Sequence, residues 1–578
     1  MNGRSKLATV SILLCLCLIV LLQVQQIMQA RRQCDQLDVL IERFQTAWTN
    51  RSSTLQTTPA ADKAIRDGDE GDWLVWALTA EPGTLNPLTR RVISSEWIVW
   101  RNIFEGLLDY DYDDLRLKPV LAESCDVSKD GLRITFRLRD DIHFSDGTPV
   151  TADDVLFTYN TIIDPGVDAA QLANYYKDVE KVDKLDQRTV RFILKKPYFK
   201  SLEFMGLQDV GVLPKHIYQF DDPEQFNKMR SNPVGTGPYV LERWDVGRQI
   251  VLRRNENYWG PKPRLKKIVF KIITNEVAAV QALRAGDADF LRPLPEQFAD
   301  MSADTEFKEQ FRCLSYFTPK IPYFYIGWNN DSVYFHDKRV RLALTHLVDR
   351  EAIIKYLLKG QAKITTGPFY IYGRQNNRDI KPWPYDPGKA KELLDAAGWV
   401  DTDGDGLRDK NGTPFRFNLM IRSEDPFYER MAKLINNALA GAGIEAVPDP
   451  YEWSIFIERL LDRKFEAEIS GWGGVIEEDP YQVWHSSQGT GRGSNHVGFD
   501  NSEADEIIEK ARQTLDEHER NKLYHRFHEI VHQQQPYTFL YTRPEMRFLD
   551  KRFENVKTHK LGLDWLQWYV PSHKQRYK

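Results

Sequence analysis

The sequence predicts a large α/β protein with more than one lobe. Short runs rich in β-branched and aromatic residues alternate with longer segments of helical periodicity from residue 73 to the C-terminus. The chain has 578 residues, which exceeds the usual size of one domain, and its sequence contains no repeat of fixed period. Strands and helices that alternate over such a length, with short connections, are typical of multidomain α/β proteins.

Nine segments have the composition of strands and are bounded by turn residues. They span residues 73–78, 132–139, 189–196, 249–255, 267–273, 323–329, 415–421, 466–472 and 537–542. Six further segments repeat apolar residues at spacings of three and four, which predicts helices that bury one face. They span residues 152–163, 276–286, 337–360, 386–398, 426–443 and 502–516.

Residues 1–30 predict a transmembrane helix that anchors the protein in a membrane. Arg4 and Lys6 precede an apolar run, and 24 uncharged residues separate Lys6 from Arg31. This length spans a bilayer with the basic flank on the inside. The alternative is a cleaved signal peptide ending at Ala30, although Met28 is a poor residue three positions from the cleavage point. We expect an uncleaved anchor, with the rest of the chain facing the periplasm or the cell exterior.

Residues 31–72 predict a short coiled-coil helix followed by a linker. Apolar residues alternate at spacings of three and four from Ile27 to Trp48, over about three heptads, which is typical of a coiled-coil seam. Residues 27–48 would then join two copies in a homodimer. A single amphipathic helix lying on lipid or on the main domain is an equally good interpretation. Residues 49–71 are polar and aperiodic, which indicates a linker.

Charge and motifs exclude several classes of function. The net charge of −5 gives no general attraction to nucleic acid, so we expect no nucleic-acid partner. The sequence has no G-x-x-x-x-G-K-[ST] motif, so the chain does not supply an ATPase. It also lacks a G-x-S-x-G motif and a C-x-x-C pair, and its five cysteines do not indicate a disulfide scaffold.

The stretch DTDGDGLRDKNG, residues 401–412, resembles a calcium-binding loop. Carboxylates occupy positions 1, 3, 5 and 9 of the loop, and they belong to Asp401, Asp403, Asp405 and Asp409. Position 12, where an EF-hand has a bidentate glutamate, is Gly412. The alternative to a structural calcium site is a tight acidic turn between a helix and a strand. We expect no other cofactor.

The segment HEIVH, from His528 to His532, matches the zinc-protease motif H-E-x-x-H. As an enzyme, the protein would use His528 and His532 as zinc ligands and Glu529 as general base. Packing alone also explains this helix, through Leu523, Phe527, Ile530 and Val531. That interpretation leaves the histidines facing solvent, and we expect the protein not to be an enzyme.

Several segments resemble, in the same order along the chain, the family 5 extracellular solute-binding proteins, the peptide- and nickel-binding class of ABC importers. They include DGLRITFRLRDDIHFSDGTPVTADDVLFTYN (130–160), DKRVRLALTHLVDREAI (337–353), YDPGKAKELLDAAGW (385–399) and SGWGG (470–474). The resemblance covers roughly residues 73–578. It implies a periplasmic-binding-protein-like fold with two lobes and a hinge, and an extra domain. It also implies that the protein captures oligopeptides in the cleft between the lobes and delivers them to a permease.

The resemblance further implies three domains. Domain I is discontinuous and comprises residues 73–117, 230–322 and 540–578. Domain II comprises residues 118–229, and domain III comprises residues 323–539. We expect the hinge near residues 322 and 540, where hinge motion closes the lobes on a ligand.

The resemblance also identifies the residues expected at the ligand. They are Glu81, Asn86, Trp453, Gly471, Trp472 and Gly473. Peptide binders of the family have an aspartate three residues after the SGW tryptophan, where this chain has Val475. We expect Glu477, or else Glu478 or Asp479, to supply the carboxylate that pairs with the ligand's amino group. If none does so, the ligand lacks an amino terminus, as an oligosaccharide, a blocked peptide or a nickel complex does.

Overall fold

Two large β-sheets, one in each lobe, organise the part of the chain that the structure describes. The structure is a computed structural model, and it describes residues 70–90, 93–229, 232–423, 425–491 and 493–577. The predicted anchor (1–30) and coiled coil (27–48) lie outside these ranges. Within them, no helix is both long enough and apolar enough to cross a membrane.

The sheet of the first lobe has seven strands from distant parts of the chain. In spatial order they are Phe311–Tyr316, Glu545–Asp550, Phe290–Leu291, Trp73–Leu78, Lys267–Ile272, Gln249–Arg254 and Tyr239–Asp245. The central strand Trp73–Leu78 is almost entirely buried, as expected for an apolar run that packs on both faces. Helices Glu276–Arg284, Pro295–Ala303 and Thr305–Gln310 pack against one face of this sheet.

A four-stranded antiparallel sheet forms a smaller layer of the same lobe. Its spatial order is Ala122–Val127, Arg133–Leu138, Thr189–Leu194 and Val179–Lys184. The helix Ala152–Ile163 has the predicted bounds, and the Asp154 carboxylate accepts a hydrogen bond from the Thr151 backbone N–H at its start. Shorter elements of this lobe are Ile93–Val99, Leu108–Tyr110, Leu117–Pro119, Ala170–Ala173, Ser201–Met205, Lys215–Tyr218 and Pro223–Lys228.

The sheet of the second lobe has five strands. In spatial order they are Glu445–Tyr451, Arg416–Arg422, Ala467–Trp472, Tyr323–Trp328 and Tyr537–Thr542. Its main helices are Lys338–Leu347, Pro387–Ala396, Pro426–Ala440, Trp453–Leu461, Ser502–Gln513 and Glu517–Gln534. The strand Tyr323–Trp328 is buried along its whole length at the centre of this lobe.

The single helix predicted for residues 337–360 is wrong. The structure has an α-helix at Lys338–Leu347, a short helix at Arg350–Ala352 and a π-helical turn at Ile353–Leu357. The break occurs because Val348 adopts an extended conformation and the Asp349 carboxylate accepts a hydrogen bond from the Ala352 N–H, which caps a new helix.

The chain passes between the lobes at two places, after Tyr316 and after Thr542. The two passages lie side by side, since the Thr542 hydroxyl donates a hydrogen bond to the Pro322 carbonyl (2.9 Å). Paired passages of this kind are where hinge motion concentrates in two-lobed binding proteins. The domain limits given above stay predictions.

Candidate functional site

The segment after the strand Ala467–Trp472 lies where the two lobes meet. A Cβ atom on Gly474 would collide with the carbonyl oxygens of Pro319 and Ile321, so the segment packs directly on the first passage between the lobes. Two residues further on, Ile476 packs against a cluster of Tyr110, Tyr112 and Leu561 from the first lobe. Gly474, the last glycine of SGWGG, is therefore required for the close approach of two backbones.

The backbone of residues 473–477 follows the end of the strand, bends at Ile476 and Glu477, and is partly exposed. Among the residues that the structure describes, no group accepts a hydrogen bond from the N–H groups of this segment. A Cβ atom on Gly473 would meet nothing within 4 Å, and Val475 is 38% exposed. Because backbone polar groups are strong hydrogen-bonding groups, the N–H groups of this segment can donate hydrogen bonds to an extended chain.

A small cavity adjoins this segment, and we call it the junction pocket. It is lined by residues of both passages, of the SGWGG segment and of a loop: Pro319, Ile321, Tyr323, Thr365, Pro368, Phe369, Tyr370, Ile371, Gly474, Val475, Glu478 and Thr542. Its volume of about 20 Å³ has room for a water molecule but not for a peptide.

Three carboxylates at this junction have a cation in direct contact. Glu477 pairs with Arg520 (2.7 Å), and Asp479 pairs with Arg512 (3.0 Å). Asp479 also accepts a hydrogen bond from the Tyr198 hydroxyl of the first lobe (2.7 Å), so it links the two lobes. The third pair, Glu203 with Lys200 (3.2 Å), lies in the first lobe.

Glu478 differs from these three acids. In the described part of the chain, no lysine, arginine or histidine lies within ion-pair distance of its carboxylate. Burial raises the pKa of Glu478 to about 7; Lys200 opposes the shift, and the charges of Asp479 and Glu203 add to it. Burial likewise raises the pKa of Glu477, against the opposing effect of Arg520. Glu478 is therefore the carboxylate at the junction that gains most from an added cation.

Two predicted ligand residues, Glu81 and Asn86, form hydrogen bonds that hold loops in the first lobe. The Glu81 carboxylate accepts hydrogen bonds from the Trp244 indole (3.0 Å) and the Gly247 N–H (2.9 Å). Asn86 is buried, and its side-chain amide accepts from the Leu88 N–H (2.9 Å) and donates to the Phe226 carbonyl (3.2 Å). Neither residue lines the junction pocket.

The predicted residues of the second lobe fall into two places. Gly471, Trp472 and Gly473 lie together at the end of the strand Ala467–Trp472, next to the junction pocket. The Trp472 indole donates a hydrogen bond to the Tyr537 hydroxyl (3.2 Å) and stacks on His496. Trp453 instead begins the helix Trp453–Leu461 and is 46% exposed, with Arg422 5.0 Å from its ring.

The acidic loop at residues 401–409 brings three of its four predicted ligands together. Carboxylate oxygens of Asp401, Asp403 and Asp405 lie within 4.8 Å of one another, and all three residues are exposed. Asp409 instead accepts hydrogen bonds from the backbone (2.9 Å) and the hydroxyl (2.7 Å) of Thr402. Calcium binding at this loop remains a prediction.

The prediction that the HEIVH histidines face solvent is wrong. His528 is fully buried, and His532 stacks on the Trp383 ring with the centroids 5.1 Å apart. Burial lowers the pKa of His528 to about 3 and that of His532 to about 4. The loop formed by residues 361–385 covers this helix. The spacing of apolar residues along the helix does not reveal that a second segment packs on its polar face. Across the described ranges, no cluster of metal-binding side chains includes a histidine.

Sequence reasoning missed three residues at the junction: Tyr198, Lys200 and Gln375. Tyr198 is 281 positions from the aspartate that it contacts. No local sequence pattern predicts a contact between residues so far apart in the chain. Sequence predicts Glu478 only as an alternative to Glu477, because the two acids are neighbours in the chain. It does not show which of them already pairs with a basic side chain.

Comparison with known proteins agrees with this architecture. Residues 116–494 match the model of the bacterial extracellular solute-binding proteins, family 5. The chain is 31% identical over 518 residues to the oligopeptide-binding protein AppA of Bacillus subtilis, covering 88% of this chain and 93% of AppA. It is 30% identical over 465 residues to the nickel-binding periplasmic protein of Escherichia coli, covering 77% and 85% of the two chains.

The fold also matches solved structures of similar binding proteins. AppA in complex with a nonapeptide superposes with a TM-score of 0.75 at 30% identity, covering 87% of this chain and 99% of AppA. The ABC transporter-associated periplasmic binding protein DppA of Helicobacter pylori, in complex with the peptide STSA, has a TM-score of 0.73 at 25% identity and covers 87% and 99%. Together with the two-lobed fold, these matches show that the chain belongs to family 5 of the bacterial extracellular solute-binding proteins.

Proposed function

We propose that the protein captures an oligopeptide with a free amino terminus between its lobes and delivers it to the permease of an ABC transporter. The observation that carries the proposal is the segment 473–477, whose N–H groups have no acceptor within the described chain. Pairing between main chains provides affinity without requiring a particular peptide sequence. The names of AppA and DppA support a peptide over a sugar or a metal complex.

Glu478 is our candidate for the residue that binds the peptide's amino group. The sequence favoured Glu477, but Glu477 already pairs with Arg520. Glu478 lines the junction pocket next to Val475, the residue that replaces the family's aspartate. A partly buried carboxylate with no cation in contact has a high pKa, and a bound ammonium group would lower that pKa while its attraction to the carboxylate offsets the cost of its own desolvation.

Calorimetric titration with a pentapeptide of alanine and leucine, and with its N-acetylated form, tests this proposal. A charge-assisted hydrogen bond contributes about 1.5–3 kcal/mol, so we expect the free form to bind about tenfold to a hundredfold more tightly. Glu478→Gln should remove this preference, whereas Glu458→Gln, on an exposed helix face, should retain it. Binding of cello-oligosaccharides without binding of peptides would overturn the proposal.

We also propose that residues 1–30 anchor the protein at the membrane and that residues 27–48 pair two copies. Tethering raises the local concentration of a binding protein at its permease. Detergent-free extraction distinguishes an anchored chain from a released one. A full-length protein that appears wholly in the soluble fraction would rule out the anchor.

A further inference from the structure

A loop that we call the strap, residues 365–377, connects the HEIVH helix to the junction pocket. Thr365 and the stretch 368–371 line the pocket. The opposite side of the strap packs on the helix Glu517–Gln534, where the Phe369 ring contacts the His528 ring with the centroids 5.9 Å apart. The strap therefore forms one wall of the junction pocket and is supported by a helix that does not itself line the pocket.

A single imidazole holds both ends of the strap. His528 Nδ1 accepts a hydrogen bond from the Asn377 backbone N–H (3.2 Å), and Nε2 lies 3.1 Å from the Thr366 hydroxyl. Since Nδ1 accepts, the proton of the neutral ring is on Nε2, which donates to Thr366. A side chain on Gly367 would collide with this ring, so strap and helix are in close contact.

Two neighbours of His528 on the same helix add contacts to the strap. His525 Nε2 lies 2.9 Å from the Arg374 carbonyl, and the Glu529 carboxylate accepts from the Asn377 side-chain amide (3.2 Å). The residues that resemble a zinc-protease motif therefore face the strap with their polar atoms. Their spacing of three and four positions places them on one face of the helix.

The strap in turn holds Glu478 through Gln375. The Gln375 side chain accepts a hydrogen bond from the Glu478 N–H (2.7 Å) and donates one to the Glu478 carbonyl (2.7 Å). Gln375 is 7% exposed, so these bonds are shielded from water. The amide bonds both polar groups of the Glu478 main chain, as a neighbouring strand would, and thereby fixes the backbone from which its carboxylate extends.

We infer that Gln375 and His528 are positioning residues for the ligand's amino group. His528 fixes the strap, the strap carries Gln375, and Gln375 sets the position of Glu478. This inference rests on the proposed function, in which Glu478 binds the ammonium group of a peptide. In this inference, His528 of the HEIVH segment holds the strap in place, a role that requires no metal ion.

Two polar-to-apolar changes test the inference without removing the buried histidine. Gln375→Leu removes both bonds to Glu478, and Thr366→Val removes the hydroxyl that faces His528. For each variant of the full chain, the affinities of the free and N-acetylated alanine-leucine pentapeptides are measured. We expect Gln375→Leu to lower the preference for the free form about tenfold, because the carboxylate loses its fixed position.

Thr366→Val should lower the same preference to a smaller extent, and Thr366→Ser should restore it. Gln513→Leu, at an exposed glutamine, is the matched control and should behave as wild type. A purely structural role for the strap would weaken both peptide forms equally and leave the preference unchanged, which would overturn the inference. If Glu478→Gln also left the preference unchanged, the proposed function itself would fail.

Discussion

Replacing the buried Glu468 by glutamine should change how the stability of the second lobe depends on pH. Glu468 lies on the strand Ala467–Trp472 and is fully buried, with its carboxyl group over Gly327 on the neighbouring strand. Burial raises its pKa from 4.5 to about 8, while the Tyr325 side chain acts in the opposite direction. At neutral pH the folded protein therefore keeps a proton that the unfolded chain releases.

The size of the effect follows from proton linkage. Below pH 4.5 both states are protonated at Glu468, so the group has no effect on stability. Between pH 4.5 and 8 the folded state binds more protons, so stability falls by about 1.4 kcal/mol per pH unit, or by about 4 kcal/mol at pH 7.5. Above pH 8 both states are ionised and the loss is constant.

Urea unfolding followed by tryptophan fluorescence, from pH 5 to pH 8, measures this slope. We expect Glu468→Gln to gain stability over wild type by about 1.4 kcal/mol for each unit of rising pH, because the variant has no proton to lose. The comparison uses slopes, since the new amide has a constant cost of its own. Glu458→Gln, at an exposed position, should run parallel to wild type. Parallel curves for Glu468→Gln would refute the reasoning.

Three further predictions concern ligand affinity, the first lobe and the acidic loop. Because the pKa of Glu478 is about 7, affinity for a free alanine-leucine pentapeptide should fall up to tenfold per pH unit as the pH drops below 7, and calorimetry on Glu478→Gln should show no such fall. Arg552→Met should reduce the free energy of unfolding by about 3–5 kcal/mol in urea titrations, because it leaves the buried Asp72 without a cation and leaves Asp289 paired only with Arg576. Calcium should raise the melting temperature, and Asp403→Asn should abolish the rise without changing peptide affinity.

Each of these has a contradicting result. An affinity that is constant from pH 5 to pH 8 would exclude Glu478 as the titrating partner. A loss below 1 kcal/mol for Arg552→Met would show that its ion pairs barely exceed their desolvation cost. An equal calcium response in wild type and Asp403→Asn would place any calcium elsewhere.

Sequence patterns were sufficient for much of the fold because burial leaves a local signature. The strand predicted at 537–542 has those bounds, and the strand predicted at 73–78 does too, since their apolar runs are buried on both faces. The prediction of one continuous helix over residues 337–360 is wrong at Val348 and Asp349, where the helix is interrupted. Periodicity continues across this break, and the cap that interrupts it depends on one side chain.

The candidate site was less accessible to sequence reasoning, because its geometry comes from segments that meet only after folding. Motif resemblance predicts Gly471, Trp472 and Gly473 as ligand residues, and they lie at the end of the strand Ala467–Trp472; their contact with a ligand stays a prediction. It did not distinguish Glu478 from Glu477, since their difference depends on Arg520 from a distant helix. His528 appeared exposed for the same reason, because the strap that covers it lies about 150 positions earlier in the chain.

The arrangement of the first-lobe sheet has a consequence for how the protein is made. The strand Glu545–Asp550 inserts between Phe311–Tyr316 and Phe290–Leu291, so the edges of both neighbours stay unpaired until the last part of the chain has been synthesised. Unpaired strand edges are prone to aggregation and attract chaperones. The seven-stranded sheet of the first lobe therefore cannot be completed until the C-terminal part of the chain has been made.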